Sequence, residues 1–105
     1  MSRYWIDYPA TDLRIDPERT IAILPTAAVE QHGPHLPVGV DTFINQGLCD
    51  MLAAACPDTL DIRLLPVQTV GKSNEHIWAP GTLPLTAETA LRAWPEIALS
   101  IARAG

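Results

Sequence analysis

Thr20-Ile21-Ala22-Ile23-Leu24, closed by Pro25, is the stretch on which the fold turns. A short apolar, β-branched run stopped by a proline reads as a strand buried on both faces, as in a parallel sheet. Beyond it, Thr26 to Val40 carries Gly33, Pro34, Pro37 and Gly39 and cannot stay regular for long. A helix is then expected from Asp41 or Thr42, either of which can cap it, to just before Pro57. Its apolar positions Ile44, Leu48, Met51, Leu52 and Ala55 recur at three- and four-residue spacing and predict one buried face.

The same order repeats. Asp61 to Val70 reads as a second strand bent at Pro66, and residues 71–85 as a second loop rich in turn residues. Within that loop Ala79-Pro80-Gly81-Thr82 suits a type II turn, with proline second and glycine third. A last helix starts near Thr86, with Glu88 in its first turn and Leu91, Trp94, Ile97 or Ala98, and Ile101 as its buried stripe. Pro95 removes a backbone donor there and predicts a kink or a late restart. Residues 1–19 are polar and broken by Pro9 and Pro17. Strand, loop, helix, twice over, is the repeat of an α/β protein with a mostly parallel sheet. Ligands of such sheets gather at the carboxyl ends of the strands, where both loops lie.

The chain has 105 residues, the size of one domain or part of one. Its formal charge is −5, with no basic patch to neutralise phosphates, so nucleic acid is not an expected partner. No run approaches the ~18 apolar residues of a membrane span, and no apolar signal core follows Met1. A cytoplasmic location is expected. Cys49 and Cys56 sit two helical turns apart, roughly 10.5 Å along the axis, too far for a disulfide. Ten prolines, about twice the usual share, predict stiff loops of the kind that carry sites.

The first loop holds the densest chemistry. Glu30 and His32 are two apart, so in extended backbone they project to one side, and Asp41 opens the next helix, aimed back over the loop. Carboxylate and imidazole donors suit Zn, Mn or Fe better than the all-oxygen shell of Ca. In the second loop, Gly71-Lys72-Ser73 imitates a phosphate loop but fails it, because Pro66 stands where the earlier glycine belongs. Trp78 reads as a buried anchor under that loop, with a pocket wall the alternative.

Glu30-Gln31-His32-Gly33-Pro34-His35-Leu36-Pro37 with Asp41 following resembles the signature of the creatininase family. Gly71-Lys72-Ser73-Asn74-Glu75-His76, followed by Pro80-Gly81-Thr82, is similar to that family's second segment. The resemblance implies the N-terminal half of a three-layer α/β/α fold, with residues 1–105 a partial domain. It implies an amidohydrolase in which two divalent metals, Zn or else Mn or Fe, activate water against a cyclic amide, formamide or peptide-like C–N bond. Glu30 would bind the first metal, His32 the second, and Asp41 would bridge them. His35 would orient Glu30 or the loop; Ser73, Glu75 and His76 would lie at the substrate pocket, His76 contacting substrate or a metal-bound group. The family's later ligands have no counterpart here, so no residue of this chain is assigned to catalysis alone. Two classes stand open: part of a metal amidohydrolase acting on a small-molecule amide, or a non-catalytic fragment or interaction module. In either, a homo-oligomer or pairing with a missing C-terminal half is expected.

Overall fold

The computed structural model describes all of residues 1–105 and places two parallel strands side by side, β1 (Thr20–Ile23) and β2 (Asp61–Leu64). They pair in register from Thr20 with Asp61 to Ile23 with Leu64. Alternation then sorts the side chains. Ile23, Ile62 and Leu64 point to one face, Thr20, Ala22, Asp61 and Arg63 to the other. Helix α1 (Val40–Ala55) packs on the first face, and helix α2 (Ala87–Ala102) lies on the second across a cavity lined by Thr20, Ala22, Ala98 and Ile101. This is the expected α/β architecture with a parallel sheet. Ile21 and Ala22 stay exposed, so β1 is not buried on both faces as its composition predicts, because neither helix seats closely over its middle.

Each strand is shorter than its apolar run because a proline interrupts the ladder. Leu65 N–H still donates to the Ile23 carbonyl (2.9 Å), but Pro66 has no N–H to offer. Pairing resumes where Gln68 N–H donates to the Pro25 carbonyl and Ala27 N–H to the Gln68 carbonyl, each at 2.9 Å. The second strand thus ends at Leu64 and returns only as an isolated bridge between Thr26 and Gln68, rather than running to Val70 with a bend at Pro66. On the other side of β2, Leu64 N–H donates to the Arg3 carbonyl (2.7 Å), and Tyr4 forms an isolated parallel bridge with Leu64. The Arg3 guanidinium spans to the carbonyls of Leu60 (2.5 Å), Pro57 (3.0 Å) and Cys56 (3.3 Å), satisfying acceptors in the turn that joins α1 to β2. The polar N-terminal stretch is thus a clasp around β2, which its composition did not announce.

Two expectations about α1 fail. Its N-cap is Gly39, not Asp41 or Thr42, and Asp41 lies inside the first turn without capping it. Its apolar stripe also faces outward. Ile44, Leu48, Met51 and Leu52 are exposed, and the sheet is met instead by the small residues Cys49 and Ala53 with Cys56. Small side chains let a helix approach closely, so this seam seats α1 against Ile62 and Leu64. Helix α2 begins where expected: Thr86 caps it, its Oγ1 accepting from Thr89 N–H (3.1 Å). It runs through Pro95 with no restart and buries Ala90 and Ile101, while Leu91 is left exposed. Both cysteines are free thiols, as expected.

Only ten residues are buried, Leu64 most completely among the apolar ones at 1% exposure. The accessible surface of 6880 Å² exceeds the roughly 5,800 Å² that scaling gives for a compact monomer of this mass. The radius of gyration, 15.7 Å, likewise exceeds the value of about 13 Å for a compact chain this long. No helix is long and apolar enough to cross a membrane.

Candidate metal centre

The segment after β1 is laced to its surroundings through backbone bonds. Val29 accepts from Leu83 N–H (2.9 Å), and Glu30 N–H donates to the Val38 carbonyl (3.2 Å). Gln31 N–H donates to Thr82 Oγ1 (3.3 Å), and Leu85 N–H to the Gly71 carbonyl (2.8 Å). The expected type II turn presents Thr82: Gly81 has φ +87°, and Thr82 N–H reaches the Ala79 carbonyl at 3.4 Å. The two loops therefore form one rigid shelf at the carboxyl ends of the strands.

On this shelf Glu30, His32 and Asp41 offer ligand atoms that all lie within 4.8 Å of one another. All three are half-buried. The Glu30 carbonyl accepts from His32 Nδ1 (2.9 Å), and a carbonyl can only accept, so Nδ1 carries the hydrogen. That leaves Nε2 as the nitrogen facing the cluster, 3.2 Å from Asp41 Oδ1. The Glu30 carbonyl, with the Asp41 carboxylate adding to it, holds His32 above the ordinary imidazole range despite partial desolvation. Two carboxylates and one imidazole, whose Nδ1 is held by a carbonyl so that Nε2 turns to the ligand side, fit a divalent cation. Position 41 does this because it sits one residue into α1 rather than at its cap.

The second loop delivers its residues unequally. His76 lies against the cluster, Nε2 4.0 Å from Glu30 Oε2, on a short 3-10 turn over Asn74–His76. Glu75 is exposed and paired with Lys72 (3.3 Å); its own backbone N–H and that ammonium hold it below the usual carboxylate range. Ser73 is fully buried, and its hydroxyl finds no hydrogen-bond partner. His35 is exposed and forms no hydrogen bond to Glu30. Trp78, expected beneath the loop, is instead 72% exposed. Sequence reasoning passed over Gln31. Its amide accepts from Gly33 N–H (3.0 Å) and meets His76 Nδ1 (3.1 Å), and its only signal was its place between two candidate ligands.

The family model for creatininase, described as creatinine amidohydrolase, matches residues 7–105. The chain belongs to the creatininase family. It is similar to a mycofactocin precursor peptide peptidase of Mycolicibacterium smegmatis (strain ATCC 700084 / mc(2)155), 33% identical over 67 residues, covering 62% of this chain and 27% of that protein. Its fold matches a solved mutant creatininase of Zn–Zn type, and another complexed with creatine, each with TM-score 0.82 and 23% identity. Both matches cover all of this chain and 42% of the solved one. The chain thus spans less than half the length of these relatives.

Proposed function

We propose that this chain supplies the first ligands of a metal-dependent amidohydrolase that splits a C–N bond in a small-molecule or peptide-like amide. The observation that carries the reading is the convergence of Glu30, His32 and Asp41 on one point. Glu30 and Asp41 would give carboxylate oxygens and His32 its Nε2, with Zn favoured over Mn or Fe for this donor set. A divalent metal held there would lower the pKa of water from 15.7 to about 7, producing a nucleophile at neutral pH. The chain's own residues do the positioning. The Glu30 carbonyl orients the His32 ring, and the Val38 and Thr82 contacts hold the backbone on either side of Glu30. Family membership supports the reaction class, and the peptidase relative supports a peptide-like amide among its substrates.

Metal content measures this directly. The chain equilibrated with Zn²⁺ should retain the ion after gel filtration, and Glu30→Ala and Asp41→Ala should each release it. Hydrolysis of amide substrates should require a complementing C-terminal half of a family member and should vanish with either variant. Zn²⁺ retention untouched by both substitutions, or hydrolysis surviving them, would sink the assignment. The alternative, a non-catalytic interaction module, draws on the bare apolar stripe of α1 and predicts no hydrolysis even with the complementing half.

A further inference from the structure

Two imidazoles flank the Glu30 carboxylate, and their hydrogen-bond partners are of opposite kinds: His32 faces acceptors, His76 a donor. His32 gives its Nδ1 hydrogen to a carbonyl and turns Nε2 to Asp41 Oδ1, 3.2 Å away, which leaves Nε2 as the ring nitrogen on the ligand side. His76 is governed by Gln31. Gly33 N–H can only donate, so the atom of the Gln31 amide that it meets at 3.0 Å is the oxygen. The amide nitrogen is thereby turned to His76 Nδ1, 3.1 Å away, and an NH₂ group can only donate. Nδ1 must then be an acceptor, which leaves the hydrogen of the neutral ring on Nε2. That nitrogen makes no other hydrogen bond and looks at Glu30 Oε2 across 4.0 Å.

Glu30, Glu75 and His76 also bring their ligand atoms within 4.8 Å of one another and so imitate a second cation site. The chain Gly33–Gln31–His76 argues against that use, because an Nε2 that carries hydrogen has no lone pair for a metal. Glu75, moreover, is engaged by Lys72.

Resting on the metal reading above, we infer that Gln31 locks His76 as an Nε2–H donor, making His76 a positioning residue for Glu30 rather than a metal ligand. The 4.0 Å gap is beyond hydrogen-bond length; once closed, such a donor would hold one carboxylate oxygen, leave the other for the cation and tune the ligand's basicity. The backbone N–H of Gly33 sets the direction of the whole relay. Changing one amide to a carboxylate at position 31 should reverse it, since a carboxylate beside Nδ1 accepts and draws the hydrogen there.

The test is nitrogen-15 NMR of the imidazoles in the 105-residue chain, paired with Zn²⁺ affinity by chelator competition. In the unsubstituted chain His76 should show the Nε2–H form, and Gln31→Glu should move the hydrogen to Nδ1. His76→Leu should weaken Zn²⁺ binding by about 10–100-fold, the range for losing a partner of a metal ligand. His76→Gln, whose amide nitrogen overlays Nε2, should restore it. An Nδ1–H form before substitution, no shift in Gln31→Glu, unchanged affinity in His76→Leu, or failed rescue by His76→Gln would each overturn the proposal. Amide proton spectra of each variant confirm folding. If the unsubstituted chain takes up no Zn²⁺, the metal reading falls, and the lock is then decided by the two tautomer measurements alone.

Discussion

Gly71 shows how little room the shelf leaves at a single position. A Cβ built there would stand 2.2 Å from the Ala27 carbonyl oxygen, a backbone atom that cannot swing aside. That approach lets the second loop lie against the segment leading to Glu30, with Gly71 accepting from Leu85 N–H. Gly71→Ala should therefore cost about 1–3 kcal/mol, as overpacking does, read as a lower urea midpoint. Leu64, the best-buried apolar side chain, should cost about 2–5 kcal/mol as Leu64→Ala. Equal midpoints for Gly71→Ala and the unsubstituted chain would mean that the two loops are not held together there. Glu30, His32 and Asp41 were legible as residues because donor types and spacing are local properties. Gln31 was not, since an amide's importance depends on which hydrogens and lone pairs meet it in space.

At the scale of elements, the strand pair carries a polar link on the α2 side. Asp61 accepts from Arg63 Nε (2.6 Å) and from Thr20 Oγ1 (2.6 Å), and the Arg63 guanidinium lies over the Tyr8 ring at 5.7 Å. The Arg63 hydrogen bond, reinforced by Thr20, holds the Asp61 carboxyl below its ordinary value of 3.8 although desolvation opposes it. A carboxyl whose folded pKa is depressed stabilises the fold above the unfolded value and loses that contribution as pH falls through the folded one. From about pH 5 down to about pH 2, the unsubstituted chain should lose more stability than Asp61→Asn. Parallel urea titrations at several pH values measure the difference, and identical slopes would refute it. The strand starts and the Thr86 cap were legible, because each depends on a few adjacent residues. The seam of α1 was not. Periodicity tells which face of a helix is apolar, and Cys49, Ala53 and Cys56 form a less apolar stripe than the one left in solvent.

Across the whole molecule, exposed apolar surface is the dominant property. Phe43, Leu48 and Met51 on α1 are each at least 60% exposed, and the strand β1 pairs on one side only. Contiguous apolar surface of this kind drives association in water. We expect the isolated chain to self-associate as concentration rises in sedimentation velocity, and Leu48→Glu with Met51→Glu to return it to a monomer. A monomer at all concentrations would show that the stripe is inert.

The order of elements, the α/β class, the family motifs and the three candidate ligands follow from the sequence by itself. Each is written in short-range features: β-branched runs, prolines, a capping threonine, and donors a few residues apart. Only the tertiary structure decided which face of α1 meets the sheet, that residues 3 and 4 clasp β2, and that His76 rather than His35 lies beside Glu30. Those outcomes depend on which atoms arrive together when loops separated by some forty residues close on one another. Hydrogen-bond direction and steric fit between such segments exist only once both are in place.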